Sequence, residues 1–265
     1  MQARQIEGGR VSSDAREPGR SNGRRGAAVM RPRDIALAVL LLGSVWGAVE
    51  VVLGGAMHQA GVPHRVAIVA GLGMAIMGIG LGAFRRVYML PLIALVVVCV
   101  RQLAVPILHV PFVCKANSCL AVVIESCALA GLVGLAGSRL TGRASGPGSG
   151  GSMTRGQWTT AAVVGGCAAL LASGVFHTAG MRVAPCDHLL SYNRALGLVT
   201  YMATRGSFWA ISSAALFPLG YLLGLRLEES VAAVPRSRPA LYYLASALCV
   251  VTCWGASAVA ISAGL

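Results

Sequence analysis

Three ionisable side chains stand inside long apolar runs: Glu50 in LLGSVWGAVEVVLGGA, Arg101 in LVVVCVRQLAV and Glu125 in AVVIESCALAG. Left unpaired near the centre of a bilayer, each would cost at least about 2.5 kcal/mol. At 1.5 Å of rise per residue, Glu50 lies roughly 22 Å above Ile35, Arg101 roughly 20 Å above Tyr88, and Glu125 roughly 9 Å below Cys119. Across ~30 Å of hydrocarbon that last figure is again about 21 Å up, so the three share one level in the outer half. Arg101 keeps its charge at any ordinary pH and is the expected partner of the acids. Two carboxylates against one guanidinium leave a surplus acid, open to a proton, a cation or the basic group of a solute.

Spacing indicates which way these groups face. Gly43, Gly47, Glu50 and Gly54 follow the i, i+4, i+7, i+11 rhythm of one helical stripe, and Ala121, Glu125 and Ala128 begin a second one before Leu132 ends it. Small residues mark close helix approach, which turns Glu50, and by the same logic Glu125, into the bundle. Trp46, one turn from Glu50, Gln102 beside Arg101, and His109 and Asn117 near the outer ends are the expected walls of a polar pocket. The competing expectation is an ion triad that only fixes helix packing.

A second group of reactive side chains lies at the outer ends: His58, His64, His109, His177 and His188, with Cys114, Cys119 and Cys186. Cys114 and Cys119 could pair around CKANSC in an oxidising compartment. Alternatively, His58, His109, Cys114 and Cys119 could capture a transition metal. The spacing favours neither: C-x4-C is not the C-x2-C of zinc ribbons, and His58 and His64 are not an i, i+4 pair. Cys99, Cys127, Cys167, Cys249 and Cys253 fall within apolar runs as packing residues.

The elements that must position these groups follow from composition. The chain has 265 residues, 56% hydrophobic and only 12% charged, with a mean hydropathy of +0.71. Soluble domains are nearer one quarter charged. Apolar blocks fall at 35–56, 66–84, 88–109, 119–137, 158–179, 207–225 and 240–263, each close to the length that crosses a bilayer. The fold class is therefore an all-α polytopic bundle of about seven spans, with six possible. A soluble enzyme, a secreted disulfide scaffold and a β-barrel are excluded. Residues 1–33 are Arg-, Gly- and Ser-rich and read as a disordered basic tail, of which the first 29 precede a plausible alternative start at Met30. A four-helix half over 34–138 and a three-helix half over 158–265 flank the Gly/Ser-rich linker 139–157. Residues 180–206 form the longest loop, whose RALGLVTYMATR reads as a short interfacial or re-entrant helix. The block after the tail is too long for a signal-peptide core and is expected to be retained.

The net charge of +13 comes from 21 Arg and one Lys, Lys115, set against 9 acids. With the N-terminus cytoplasmic, sixteen basic residues fall on the inner side and five on the outer, with Arg101 within a span. That asymmetry places the N-terminus inside and the C-terminus outside, in a multi-pass arrangement in the cell (inner) membrane. The charges are loop charges rather than a basic face with interleaved aromatics, so no nucleic acid is expected as a partner. GIGLGA formally fits G-x-G-x-x-A but lies within an apolar span, where Gly71/Ala75 and Gly78/Gly82 read as packing notches instead. No Walker, HExxH, GxSxG or C-x-x-C motif occurs, and no cofactor is expected.

Three stretches taken together, LGSVWGAVEVVLGGAMHQAGVPH, the Gly-rich second block and IESCALAGLVG, resemble the substrate-capture (S) subunits of energy-coupling factor transporters, or a related family of small polytopic membrane proteins. The resemblance covers residues 35–137. It implies about six helices and an outward-facing pocket closed by the first loop. It also implies a transmembrane coupling subunit meeting small residues such as Gly43 and Gly47, and separate ATPase subunits. A seventh block and the mid-chain linker depart from that pattern. The expected function is binding of a small solute for uptake, at Glu50, Arg101 and Glu125 with Trp46, Gln102, His109 and Asn117. The alternatives are a transition-metal uptake protein using the outer His and Cys residues, an assembly subunit without a ligand, and a membrane-embedded enzyme acting on a lipid through the two glutamates.

Overall fold

The computed structural model describes residues 31–111, 116–137, 140, 153–183, 187–193 and 195–265. The tail up to residue 30, most of the linker, and Cys114 and Cys186 lie outside the described residues. The expected Cys114–Cys119 pairing lies outside them too. Among the described residues, seven helices are long and apolar enough to cross a membrane: α1 Pro32–Gln59, α2 Arg65–Phe84, α3 Met89–Leu108, α4 Ala116–Ala136, α5 Arg155–Val183, α6 Gly197–Pro235 and α7 Pro239–Ser262. No strand occurs among the described residues. Successive spans alternate in direction, so one end of the bundle carries Pro32 and Arg85, and the opposite end carries His58 and His177.

α2 is the central helix. It is the most buried span, and its widest contact is with α6. Glycines make that contact possible. Gly78 and Gly82 face Gly220 and Gly224, so that a Cβ on Gly78 would lie 2.7 Å from the Phe217 carbonyl oxygen and one on Gly82 would lie 2.9 Å from the Leu225 nitrogen. Added carbons at Gly220 and Gly224 would in turn strike the carbonyls of Ala75 and Ile79. Lipid tails are as apolar as leucine, so such backbone contact and its dispersion attraction hold the pair together. Around α2 run contacts α7–α1–α3–α4–α5–α6. α7 is the least buried span. Its Trp254 indole donates to Ser44 Oγ of α1 at 2.9 Å, and its Tyr243 hydroxyl donates to the buried Asp34 carboxylate at 3.0 Å.

The stretch expected to be a long loop with a separate short helix is built differently. α5 continues to Val183, and Gly197–Tyr201 is the first turn of α6 itself. Polar residues disguise this helix in the sequence. Their hydroxyls are satisfied within it: Thr200 donates to the Leu196 carbonyl at 3.0 Å and Thr204 to the Thr200 carbonyl at 2.7 Å.

Candidate functional site

The sequence places a proline four residues after Gln102, and the backbone responds. Pro106 has no N–H to offer the Gln102 carbonyl, and α3 is interrupted at Leu103, directly after Arg101 and Gln102. In α1 the turn Val49–Leu53, which contains Glu50, is a π-helix. In α6 a second π-helix spans Met202–Gly206, three residues before Trp209. Three helices thus lose regular hydrogen bonding within about a turn of the buried polar groups. Single π turns inside α-helices are frequent at functional sites, because one extra residue re-aims the side chains around it.

That re-aiming is visible in α1. Gly43 and Gly47 face Val96 and Val100 of α3, as one stripe requires, but Gly54 instead lies 3.7 Å, measured from an added Cβ, from Val69 of α2. The extra residue of the π turn rotates everything after Glu50 off the stripe. Close approach at Gly43 and Gly47 brings α1 and α3 together where their charges meet. Arg101 Nη1 donates to Glu50 Oε2 at 2.5 Å, and the two side chains are only 21% and 11% exposed. Trp46, fully buried, donates its indole N–H to the other oxygen, Glu50 Oε1, at 3.2 Å. The ring fits because α2 offers Gly73 beneath it: a Cβ there would sit 2.5 Å from Trp46 Cε2.

Glu125 is placed otherwise. Its carboxyl is 1% exposed and accepts from the Trp209 indole N–H at 3.2 Å. Glu125 is thus held by an indole of α6, while the Arg101 guanidinium is committed to Glu50. Gln102 donates through Nε2 to Cys119 Sγ at 3.2 Å, while its buried Oε1 has no partner among the described residues.

No protein family, curated protein or solved structure matches the chain. The resemblance to the S subunits thus rests on its quoted residues alone, and the site has to be read from its own geometry.

The structure brings Trp46, Glu50 and Arg101 together, joins the neighbouring Gln102 to Cys119 of α4, and holds Glu125 of α4 on Trp209 of α6. His109 ends α3 as an exposed residue in the left-handed region, at φ 51°. Asn117 lies against α5, with Oδ1 3.5 Å from where a Cβ on Gly180 would be. Neither joins the Glu50–Arg101 group. His58 is exposed, and His64 stacks on Phe208 at 3.8 Å between ring centroids. Among the described residues no three His, Cys, Asp or Glu side chains converge as metal ligands would. Trp209 carries no signature in the sequence, since nothing in local spacing ties it to a carboxyl 84 positions away. Gly220-x-x-x-Gly224 was a readable signal, the same small-residue notch as Gly78-x-x-x-Gly82.

Proposed function

We propose that this chain is a multi-pass membrane protein, N-terminus cytoplasmic, that binds a small polar solute between α1, α3, α4 and α6 and passes it across the membrane. The observation that carries the reading is the coincidence of broken backbone and unbalanced charge. Irregular backbone at membrane depth is tolerated where protein buries it or where it lines a cavity, and interrupted helices mark the binding sites of many transporters. Here α1, α3 and α6 are all interrupted beside Glu50, Arg101 and Trp209. A bundle held together by packing alone would have no use for a third ionisable group without a counter-charge.

Within the site the roles divide. Glu50 and Arg101 neutralise each other and fix the distance between α1 and α3, with Trp46 orienting the carboxylate. Glu125, held by one indole N–H, is the group with capacity left for a solute. An ammonium or another donor group complements it, because the net formal charge of the three side chains is negative.

Native mass spectrometry and elemental analysis of the full chain, gently purified from its own membranes, test this reading. The expected result is a stoichiometric organic solute that survives Arg85→Ala and is lost in Glu125→Gln, with both variants still folded. A protein that carries no solute and gains no thermal stability from any solute pool would overturn it. A stoichiometric transition metal would shift the assignment to the outer His and Cys residues.

A further inference from the structure

One buried titratable group takes no part in the site described above. His177 of α5 is 7% exposed, and neither Nδ1 nor Nε2 has a hydrogen-bond partner among the described residues. Its ring is enclosed by aromatic rings instead. Tyr201 lies at 5.0 Å and Tyr192 at 6.5 Å between centroids, and the two tyrosines are 5.2 Å apart, edge to face. A buried polar group without a partner destabilises the fold. An imidazole in that condition is nonetheless well suited to one task, because it accepts a proton on one ring nitrogen and releases another from the opposite one.

Its depth gives the task a direction. His177 is six residues from the end of α5 at Val183, roughly 9 Å in, whereas Glu125 is nine residues from Ala116, roughly 14 Å in. One turn below His177 on the same face of α5 is the fully buried Ser173, roughly 15 Å in and so level with Glu125. The Ser173 hydroxyl donates to the Leu170 carbonyl at 2.8 Å, leaving its lone pairs available. It meets α6 at Gly206, where an added Cβ would lie 2.5 Å from Ser173 Oγ. Gly206 closes the π turn, and three residues later Trp209 holds Glu125. His177 and Ser173 therefore share one polar face of α5, and Ser173 meets the turn that leads to the Glu125 partner.

We propose that His177 is the entry station of a proton path that ends at the Glu125 carboxylate, so that the ion coupled to solute movement is the proton. This rests on the solute-binding reading above. The step is a transfer only. A proton from water at the His-bearing end joins one imidazole nitrogen, the other nitrogen gives one up, and the Glu125 carboxylate becomes a carboxyl. The titratable and charged groups around this path are Glu50 from α1, Arg101 from α3, Cys119 from α4, Arg205 and Tyr201 from α6, and Tyr192 from the α5–α6 connection. Glu50 and Arg101 compensate each other, which leaves Glu125 as the acceptor.

Infrared spectroscopy of the full chain in lipid nanodiscs, moved from H2O to D2O buffer, tests this. The Glu125 carboxyl band is identified by its absence in Glu125→Gln, and its isotope shift reports proton exchange. Exchange in His177→Phe should slow by about a hundredfold, the low end of what a positioned proton-transfer group contributes. Free imidazole should restore the rate in His177→Gly. Should His177→Phe fail to fold, His177→Gln keeps the polarity and size while removing the transfer, and should slow exchange equally. Exchange as fast in the His177 variants as in the wild type would overturn the path. So would a Glu125 that stays ionised across the pH range, even in a chain that carries a stoichiometric solute. Loss of solute with the path intact would instead overturn the binding reading, and the coupling to solute with it, while the proton path itself would stand.

Discussion

The two ends of the bundle each hold an Arg–Glu pair between helices distant in sequence, and the pairs differ in every respect that matters. At the end carrying Pro32, Arg85 donates through Nε at 3.2 Å and Nη2 at 3.0 Å to Glu228 of α6, with the side chains 26% and 34% exposed. Arg85 is the C-cap of a regular helix, and its guanidinium is bonded to Glu228. At the opposite end, Glu50 and Arg101 are more deeply buried, stand at breaks in α1 and α3, and leave a third ionisable group, Glu125, outside the balance. The first pair is what a helix end does with charges that water already solvates. The second stands where the backbone of both its helices is irregular, by a π turn in α1 and at the Pro106 break in α3, and a fold keeps such an arrangement where function requires it.

Breaking the buried pair should have the largest effect. Arg101→Ala leaves Glu50 desolvated and uncompensated, a loss of about 3–5 kcal/mol. The folded fraction in a denaturing-detergent titration reads it. The double change Glu50→Gln with Arg101→Met removes both charges and should recover most of that loss. If Arg101→Ala proved no worse than Arg85→Ala, the distinction between the two ends would vanish. Next in size is the seat of the tryptophan. Gly73→Ala drives a methyl into the Trp46 ring and tips its N–H away from Glu50, at about 1–3 kcal/mol for overpacking. A shift in tryptophan emission should accompany the loss, and the shift should be absent in Trp46→Phe. Arg85→Ala should come third, at no more than about 1 kcal/mol and shrinking as salt is added.

How far the sequence carried depends on which physical signal each feature leaves. Seven apolar blocks were legible because the bilayer demands length, and no soluble fold imitates that. The shared level of Glu50 and Arg101 was legible because helical rise is constant up to the residues in question. The stripe through Gly54 was not, because the π turn at Val49–Leu53 inserts a residue that no periodicity announces. The start of α6 was hidden for a different reason. Thr200, Thr204 and Arg205 lower the hydropathy of a segment that is helical all the same, since the threonine hydroxyls bond back to the helix. Of the three charges, Glu50 and Arg101 meet, whereas the partner of Glu125 depended on how α4 and α6 pack, which spacing within one helix cannot encode.

Tyr192 gives the comparison its last and smallest test, because it shares the end of the buried pair but not its burial. Half-buried in the α5–α6 connection, its hydroxyl is hydrogen-bonded by the Arg205 side chain and by Thr204, and the Arg205 contact chiefly holds the phenol below its ordinary value. The folded chain therefore releases this proton before the unfolded one does. A group depressed in this way contributes stability that is fully present above its unfolded value, near about pH 10, and fades as pH falls through the folded value. In a difference titration of tyrosinate absorbance against Tyr192→Phe, the Tyr192 signal should rise below about pH 10 and move upward in Arg205→Gln. Added salt should weaken the shift, as it should weaken Arg85–Glu228 and leave Glu50–Arg101 nearly untouched. A Tyr192 titration indifferent to both Arg205→Gln and salt would mean that position along the bundle, rather than burial, sorts these charges.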